Sequence, residues 1–301
     1  MSEYVQLSVL MPVYNAELYL SEAVESILNQ TFSEFEFIII DDGSTDSSLS
    51  ILQAYAKKDK RIRLVFRENK GLVETLNEGL LLANGELIAR MDADDISLPT
   101  RFEKQMAYLK SNVACLLLGC RVIIIDSDGD EICEMGDYFT HKELDDGFLA
   151  RKGQLIYHPS VMMRKEIIDS INGYRKKYPH VEDLDLFLRV SELGKIENLK
   201  EPLLKYREHL TKVGHVHGLQ QSEEIYELLV EASERRGLKD YKIKKEPISD
   251  ISTSDRFGLW GWWALGAGNV KTARKYARKL FFKKPMKINS WRLLLCSLRG
   301  Y

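Results

Sequence analysis

No apolar run in this 301-residue chain approaches the roughly 20 residues that a membrane-spanning helix needs. The first residues lack a basic stretch followed by an apolar one, so no secretory leader is expected. Four cysteines occur, Cys115, Cys120, Cys133 and Cys296, and none forms a C-x-x-C pair. The first three sit in apolar, strand-like surroundings, which points to free thiols in a reducing compartment. Internal repeats and low-complexity tracts are absent. The net charge is only −2, which excludes a strongly basic nucleic-acid binder.

A further absence is local. From Arg256 to Tyr301 there is no Asp or Glu, against eleven Lys and Arg. The rest of the chain holds 32 basic and 45 acidic residues, a charge of −13. An acidic body joined to a basic tail is a different object from a neutral protein. With 45% hydrophobic and 29% charged residues, the composition is that of a globular protein, and the length admits one large domain or two medium ones.

Strand-like runs alternate with helical spacing through the first hundred residues. Val5–Val13, Phe35–Ile40, Ile62–Phe66 and Leu87–Met91 read as strands, with helices around Leu20–Leu28, Ile51–Tyr55 and Leu72–Ala83 between them. This rhythm predicts an α/β fold with a mainly parallel sheet flanked by helices. Cys115–Ile125 and Glu131–Met135 flank Asp126-Ser127-Asp128-Gly129, a hairpin turn by its chemistry. Leu155–Met163 and the short Leu203–Tyr206 read as further strands, and Leu184–Leu193 as a helix. Beyond Thr211 the pattern is helical, over Leu219–Arg236 and Asn269–Phe282, with a flexible link at Lys242–Ser254. A division follows: residues 1–210 as one domain and residues 211–301 as a helical, basic C-terminal region.

Polar clusters close the strand-like runs, which is where open α/β sheets bind ligands. They are Pro12-Val13-Tyr14-Asn15, Asp41-Asp42-Gly43-Ser44-Thr45-Asp46 and Asp92-Ala93-Asp94-Asp95; a fourth, Glu182-Asp183, opens a helix. Three carboxylates in four residues repel one another unless a cation lies among them, and hard ions such as Mg²⁺ and Mn²⁺ take carboxylate oxygens while sharing a substrate's phosphates. The alternative, a solvated turn or helix cap, fits poorly at the end of so apolar a strand as Leu87–Met91. Asp41-Asp42-Gly43-Ser44 alone is ordinary turn chemistry. Beside the acidic cluster it gains weight, because an Asp can accept a base N–H and Tyr14 offers a ring to stack on.

In these motifs the sequence resembles the family 2 inverting glycosyltransferases of the GT-A fold. The resemblance runs through Val9-Leu10-Met11-Pro12-Val13-Tyr14-Asn15, Ile40-Asp41-Asp42-Gly43-Ser44-Thr45-Asp46, Asn69-Lys70-Gly71-Leu72, Met91-Asp92-Ala93-Asp94-Asp95, His158-Pro159-Ser160 and Glu182-Asp183-Leu184. It covers roughly residues 5–210, in family order and spacing. It implies a Rossmann-like GT-A sheet with a C-terminal helical region, and a nucleotide-sugar donor, UDP-linked. The donor nucleotide would be bound by Pro12, Tyr14, Asn15, Asp42, Asp92, Ala93 and Asp94. Mn²⁺ or Mg²⁺ would be held by Asp94 or Asp95 of the D-x-D motif, with His209 as a further ligand and His215 and His217 behind it. Asp183 would be the catalytic base.

The chemistry these residues imply is a single displacement. A metal neutralises the diphosphate leaving group, and a carboxylate takes the acceptor's proton as its oxygen attacks, inverting the anomeric centre. Asp183 at a helix N-terminus is expected to have its anion favoured by the dipole, so its basicity would rest on desolvation in the complex. The acceptor is expected to be a hydroxyl of a saccharide, lipid-linked, in surface-polysaccharide synthesis. Transfer to a polyprenyl phosphate and a non-catalytic nucleotide-sugar binder are the alternatives. A sugar-phosphate nucleotidyltransferase would want a Gly-rich loop where Met11-Pro12-Val13-Tyr14-Asn15 stands. The tail, with Trp260, Trp262, Trp263 and Trp291 among its basic residues, reads either as a dock for an anionic membrane at the inner face of the cell or as a cap whose basic face meets the acidic body. Acceptor contacts are expected from the region around Phe139–Pro159 and from this tail.

Overall fold

The structure is a computed structural model that describes residues 5–210, 212, 218–238, 243 and 252–300. Thr211, His215 and His217 lie outside the described residues, as does most of Lys242–Ser254.

Nine strands form one mixed sheet: β1 Leu7–Val13, β2 Phe35–Asp41, β3 Ile62–Phe66, β4 Leu87–Arg90, β5 Ile96–Ser97, β6 Cys115–Ile125, β7 Glu131–Met135, β8 Met162–Arg164 and β9 Lys195–Arg207. Their order is β3-β2-β1-β4-β8-β6-β9-β5, with β7 on β6. The first half, β3-β2-β1-β4, is parallel, as the alternating sequence pattern requires. In the second half β8 runs antiparallel to β4 and β6, while β6 and β9 are parallel.

Helices α1 Leu20–Leu28, α2 Ser48–Lys58 and α4 Arg101–Ser111 cover one face; α3 Leu72–Leu82, α5 His141–Leu149, α7 Glu182–Ser191 and α8 Gly218–Arg235 cover the other; α6 Lys165–Ser170 is a short connector. The central strands are mainly apolar because both faces are buried. Val9, Met11 and Val13 pack with Ala23, Val24 and Ile27, whereas Leu10, Ile38 and Ile40 pack with Val73, Leu76 and Leu80. Gly79 lets α3 approach β1 closely, since a Cβ there would lie 2.0 Å from Leu10 Cδ1.

Two strand expectations are corrected. Leu155–Met163 is not one strand: Pro159 lacks the N–H a ladder needs, a 3₁₀ turn forms over His158–Ser160, and only Met162–Arg164 pairs. Leu203–Tyr206 is the end of the 13-residue β9, whose Pro202 is accommodated at a register shift opposite Arg121.

The C-terminal helices α9 Thr253–Gly266, α10 Val270–Lys283 and α11 Ile288–Arg299 pack on the β6–β7 hairpin and extend the core of the first face. Trp260, 4% exposed, sits against Phe257 and Tyr276, so it belongs to the core and not to a membrane interface. Lys275 Nζ lies 2.5, 2.6 and 2.8 Å from carboxylates of Asp126, Asp128 and Asp130 in the hairpin turn. Lys271 pairs with Asp130 at 2.9 Å. Part of the basic tail therefore meets the acidic body directly.

Candidate active site at the carboxyl edge of the sheet

The parallel register sets Val13 beside Asp41 and Leu10 beside Arg90, so the segments after β1, β2 and β4 leave the sheet at one edge. Pro12 is buried in β1, and Tyr14 is 54% exposed at the mouth. Asn15 adopts a left-handed conformation (φ 50°), which Asn tolerates, and its carboxamide oxygen accepts the Thr45 N–H at 2.7 Å. Its own N–H donates to Ser44 Oγ at 3.0 Å. Gly43, at φ +78° and with Asn69 N 2.7 Å from where a Cβ would stand, allows the loop after β2 to turn tightly here. Asp42 is buried; its carboxylate accepts the Lys70 and Gly71 N–H groups at 2.8 and 2.9 Å and ion-pairs with Arg67. Among the described residues, three of its four acceptor positions are taken.

Asp92, Asp94 and Asp95 come together, each offering a carboxylate oxygen within 4.8 Å of the others'. The antiparallel β5–β9 pairing brings the end of β9 to this cluster, where Arg207 N–H donates to Asp95 Oδ1 at 2.8 Å. Among the described residues, the buried Asp95 Oδ2 has no hydrogen-bond partner. Burial and the neighbouring charges of Asp94 and Asp92 push the Asp95 carboxyl well above its ordinary range, against the opposing charge of Lys212. Burial also acts on Asp94, but Lys212 and the His209 contact outweigh it and hold that carboxyl low. His209 Nε2 lies 2.9 Å from Asp94 Oδ2, next to the Tyr19 ring. Ala93 is buried between the acidic residues.

Glu182 and Asp183 open α7 on the other side of the site, and Asp183 Oδ1 accepts the Leu184 N–H at 2.7 Å. Burial pushes the Asp183 carboxyl up, with the Asp92 charge adding to it. Burial and the Asp183 charge push Glu182 up to about 8. At Asp183, desolvation in the free protein outweighs the Leu184 N–H bond and the Arg90 charge, where the sequence led us to expect it only in a complex.

Two arginines were not singled out from sequence. Arg90 is buried, ion-pairs with Asp92, and has no hydrogen-bond partner for Nε. Its charge reaches Asp183, Glu182 and His158 and so ties both halves of the site together. Its signal was an Arg inside the apolar run Leu87–Met91. Arg207 braces the acidic loop through Nε to the Asp94 carbonyl at 2.8 Å, ion-pairs with Glu22, and reaches the Asp126 carbonyl at 3.2 Å. The second acidic group, Asp126, Asp128 and Asp130, is occupied by the Lys275 ammonium. The cluster at Asp92, Asp94 and Asp95 suits a hard divalent cation: its oxygens converge, and the Asp95 carboxyl is pushed up by the neighbouring Asp94 and Asp92 charges as well as by burial.

Comparisons with known proteins agree with this geometry. Residues 8–171 match the profile of Glycosyl transferase family 2. The chain is 38% identical to the putative glycosyltransferase EpsE of Bacillus subtilis, over 67% of this chain and 73% of the relative. It is 36% identical to the O-antigen biosynthesis glycosyltransferase WbnJ of Escherichia coli, over 67% and 80%. In fold it is similar to S. aureus TarS 1-349 solved with UDP-GlcNAc (TM-score 0.62, 16% identity, 98% of this chain and 80% of that one). The chain belongs to glycosyl transferase family 2.

Proposed function

We propose that the chain is a metal-dependent, inverting hexosyltransferase that moves a sugar from a UDP-sugar to a hydroxyl of a saccharide acceptor on a lipid carrier, in surface-polysaccharide synthesis. The observation that carries the reading is the meeting of the Asp92, Asp94 and Asp95 carboxylates at the strand edge with a half-buried Asp183 whose proton affinity is raised. The O-antigen role in the name of the Escherichia coli relative supports the polysaccharide part.

Tyr14 stacks on the nucleobase, with Pro12 and Asn15 shaping its pocket and the fourth acceptor position of Asp42 receiving a base N–H. Asp92 and Asp94, with Ala93 between them, face the ribose and diphosphate. Asp94, Asp95 and His209 would hold Mn²⁺ or Mg²⁺, which when bound supplies the positive charge that makes the diphosphate a good leaving group. Asp183 takes the acceptor's hydroxyl proton as that oxygen bonds to the anomeric carbon and the carbon–phosphate-oxygen bond breaks; the electron pair leaves with UDP. One displacement turns an α-linked donor into a β-linked product.

The tail supplies the membrane contact. Phe282, Met286 and Ile288 are 81%, 95% and 76% exposed. They lie beside Lys283, Lys287 and Arg292 in a stretch without acidic residues. Exposed apolar groups rimmed by cations suit an anionic leaflet, with about 1 kcal/mol for each Lys or Arg at the surface. Flotation with vesicles containing 30% phosphatidylglycerol should carry the protein upward at low salt; absence of binding at any ionic strength overturns this part. For the catalytic reading, UDP-hexoses with Mn²⁺ are followed by NMR. Wild type should release UDP and Asp183→Asn should not, while UDP affinity stays within twofold. Turnover of the variant at the wild-type rate rejects the assignment.

A further inference from the structure

A cleft of about 840 Å³ lies between the C-terminal helices and the β7 side of the sheet. One wall comes from α9, with Trp262, Trp263 and Gly266; the other comes from the segments after β7 and before the 3₁₀ turn, with Tyr138, Gln154 and Tyr157. The volume falls in the range of small-ligand sites, roughly 300–1,000 Å³. We propose that this cleft is a saccharide-binding subsite that holds the acceptor chain away from the reacting hydroxyl. The inference rests on the reading of the chain as a glycosyltransferase.

The lining favours that chemistry over others. The rings of Tyr138, Trp262 and Trp263 suit the C–H faces of pyranose rings, while Tyr157, buried in the core, backs the cleft, and polar side chains in the lining suit hydroxyls. Trp262 is 38% exposed, so part of its ring is accessible from the cleft. An anionic ligand is disfavoured: Glu131, Glu134 and Asp137 line the cleft against the single Lys152. Those carboxylates are already committed, Glu134 and Asp137 to Arg121 at 2.9 and 3.0 Å and Glu131 to Lys205 at 3.1 Å. A purely apolar ligand would cover polar side chains such as Gln154 without offering them hydrogen bonds. A neutral, hydroxyl-rich chain meets both conditions.

The cleft also connects to the acidic cluster. Tyr157 packs edge-on against Tyr206 with centroids 4.8 Å apart, and the next residue, Arg207, holds Asp95. Tyr157 is followed by His158, which is hydrogen-bonded to Tyr174 at 2.7 Å beneath the Arg90 side of the site.

The test uses saturation-transfer NMR on the full chain with cellotetraose, chitotetraose, maltotetraose and mannotetraose at millimolar concentration, and in parallel a titration with UDP and Mn²⁺. Wild type should show transfer to at least one tetrasaccharide. Trp262→Ala should reduce it at least fivefold. Gly266→Leu, which grows into space where a Cβ meets nothing within 4 Å, should do the same without disturbing the fold. No transfer to any tetrasaccharide, or equal transfer in wild type and both variants, overturns the subsite. Loss of UDP binding by wild type would instead reject the catalytic reading, so the two failures are told apart.

Discussion

Replacing Lys275 with Met should destabilise the protein by about 3 kcal/mol, near the lower end of the cost of breaking a buried ion pair. Asp126 is fully buried and loses its ammonium partner. It keeps the N–H groups of Asp128 and Asp130, at 2.9 and 3.1 Å, and the Tyr276 hydroxyl at 2.9 Å. Those three donors, and the 21% exposure of the Lys275 side chain, keep the cost from the upper end of that range. Asp128 is 64% exposed and should add little through its own lost pair. In a chain of this size the loss corresponds to a fall of about 6 °C in Tm. Urea unfolding of Lys275→Met, Asp126→Asn and the double variant measures the coupling directly, and the double variant should recover at least half of the loss. The Asp126 carbonyl also accepts from Arg207, which braces Asp94 and Asp95, so UDP·Mn²⁺ affinity should fall with stability. A cost below 1 kcal/mol with additive single effects would refute the claim that this contact fastens the C-terminal helices to the hairpin.

Three further outcomes follow from the buried charges. Arg90→Gln removes the cation that holds Asp183 down, so the acid limb of the pH–rate profile should move up by about one unit, with a fall in kcat; an unmoved limb contradicts the coupling. Glu182 has a folded-state pKa raised to about 8, so stability present below its ordinary value is lost as pH rises toward 8. Glu182→Gln cannot ionise and should therefore gain on wild type between pH 5 and pH 9 by at least about 1.4 kcal/mol in unfolding experiments; a pH-independent difference refutes it. Among the described residues, the buried Arg101 donates to neutral acceptors: Gln105 Oε1 at 3.0 Å, the carbonyls of Arg90 and Val161 at 2.9 and 3.2 Å, and Met91 Sδ at 3.7 Å. Arg101→Ala should cost about 2–4 kcal/mol by urea unfolding, and a loss under 1 kcal/mol would show that those acceptors find other partners.

The half of the sheet that carries the motifs was legible in sequence because β1, β2 and β4 are buried on both faces and read as runs dominated by apolar residues. The helices α9 and α11 were not. α9 is almost uncharged, and its buried Phe257, Trp260 and Ala264 share the helix with exposed Trp262, so no polar face marks its period. The first half of β9 was hidden by Lys195, Glu197, Lys200 and Glu201, which alternate on a strand that looks polar until its partner β6 is known. In the site, Asp92, Asp94, Asp95 and Asp183 stood out because carboxylates at strand ends and helix starts are local features. Arg90 and Arg207 did not, because their partners follow from folding: the Arg207 bond to Asp94 spans 113 residues. Of the two expectations held for the tail, the structure bears on the cap. Lys271 and Lys275 face the acidic turn, while Phe282, Met286 and Ile288 remain on the outside.

Titration calorimetry of UDP into the full chain, with Mn²⁺ and then with excess chelator, tests the donor site most directly. The account predicts binding that requires the metal and falls at least tenfold in Asp94→Asn. Binding that is indifferent to chelation and to Asp94→Asn, or no binding with Mn²⁺ present, would contradict it.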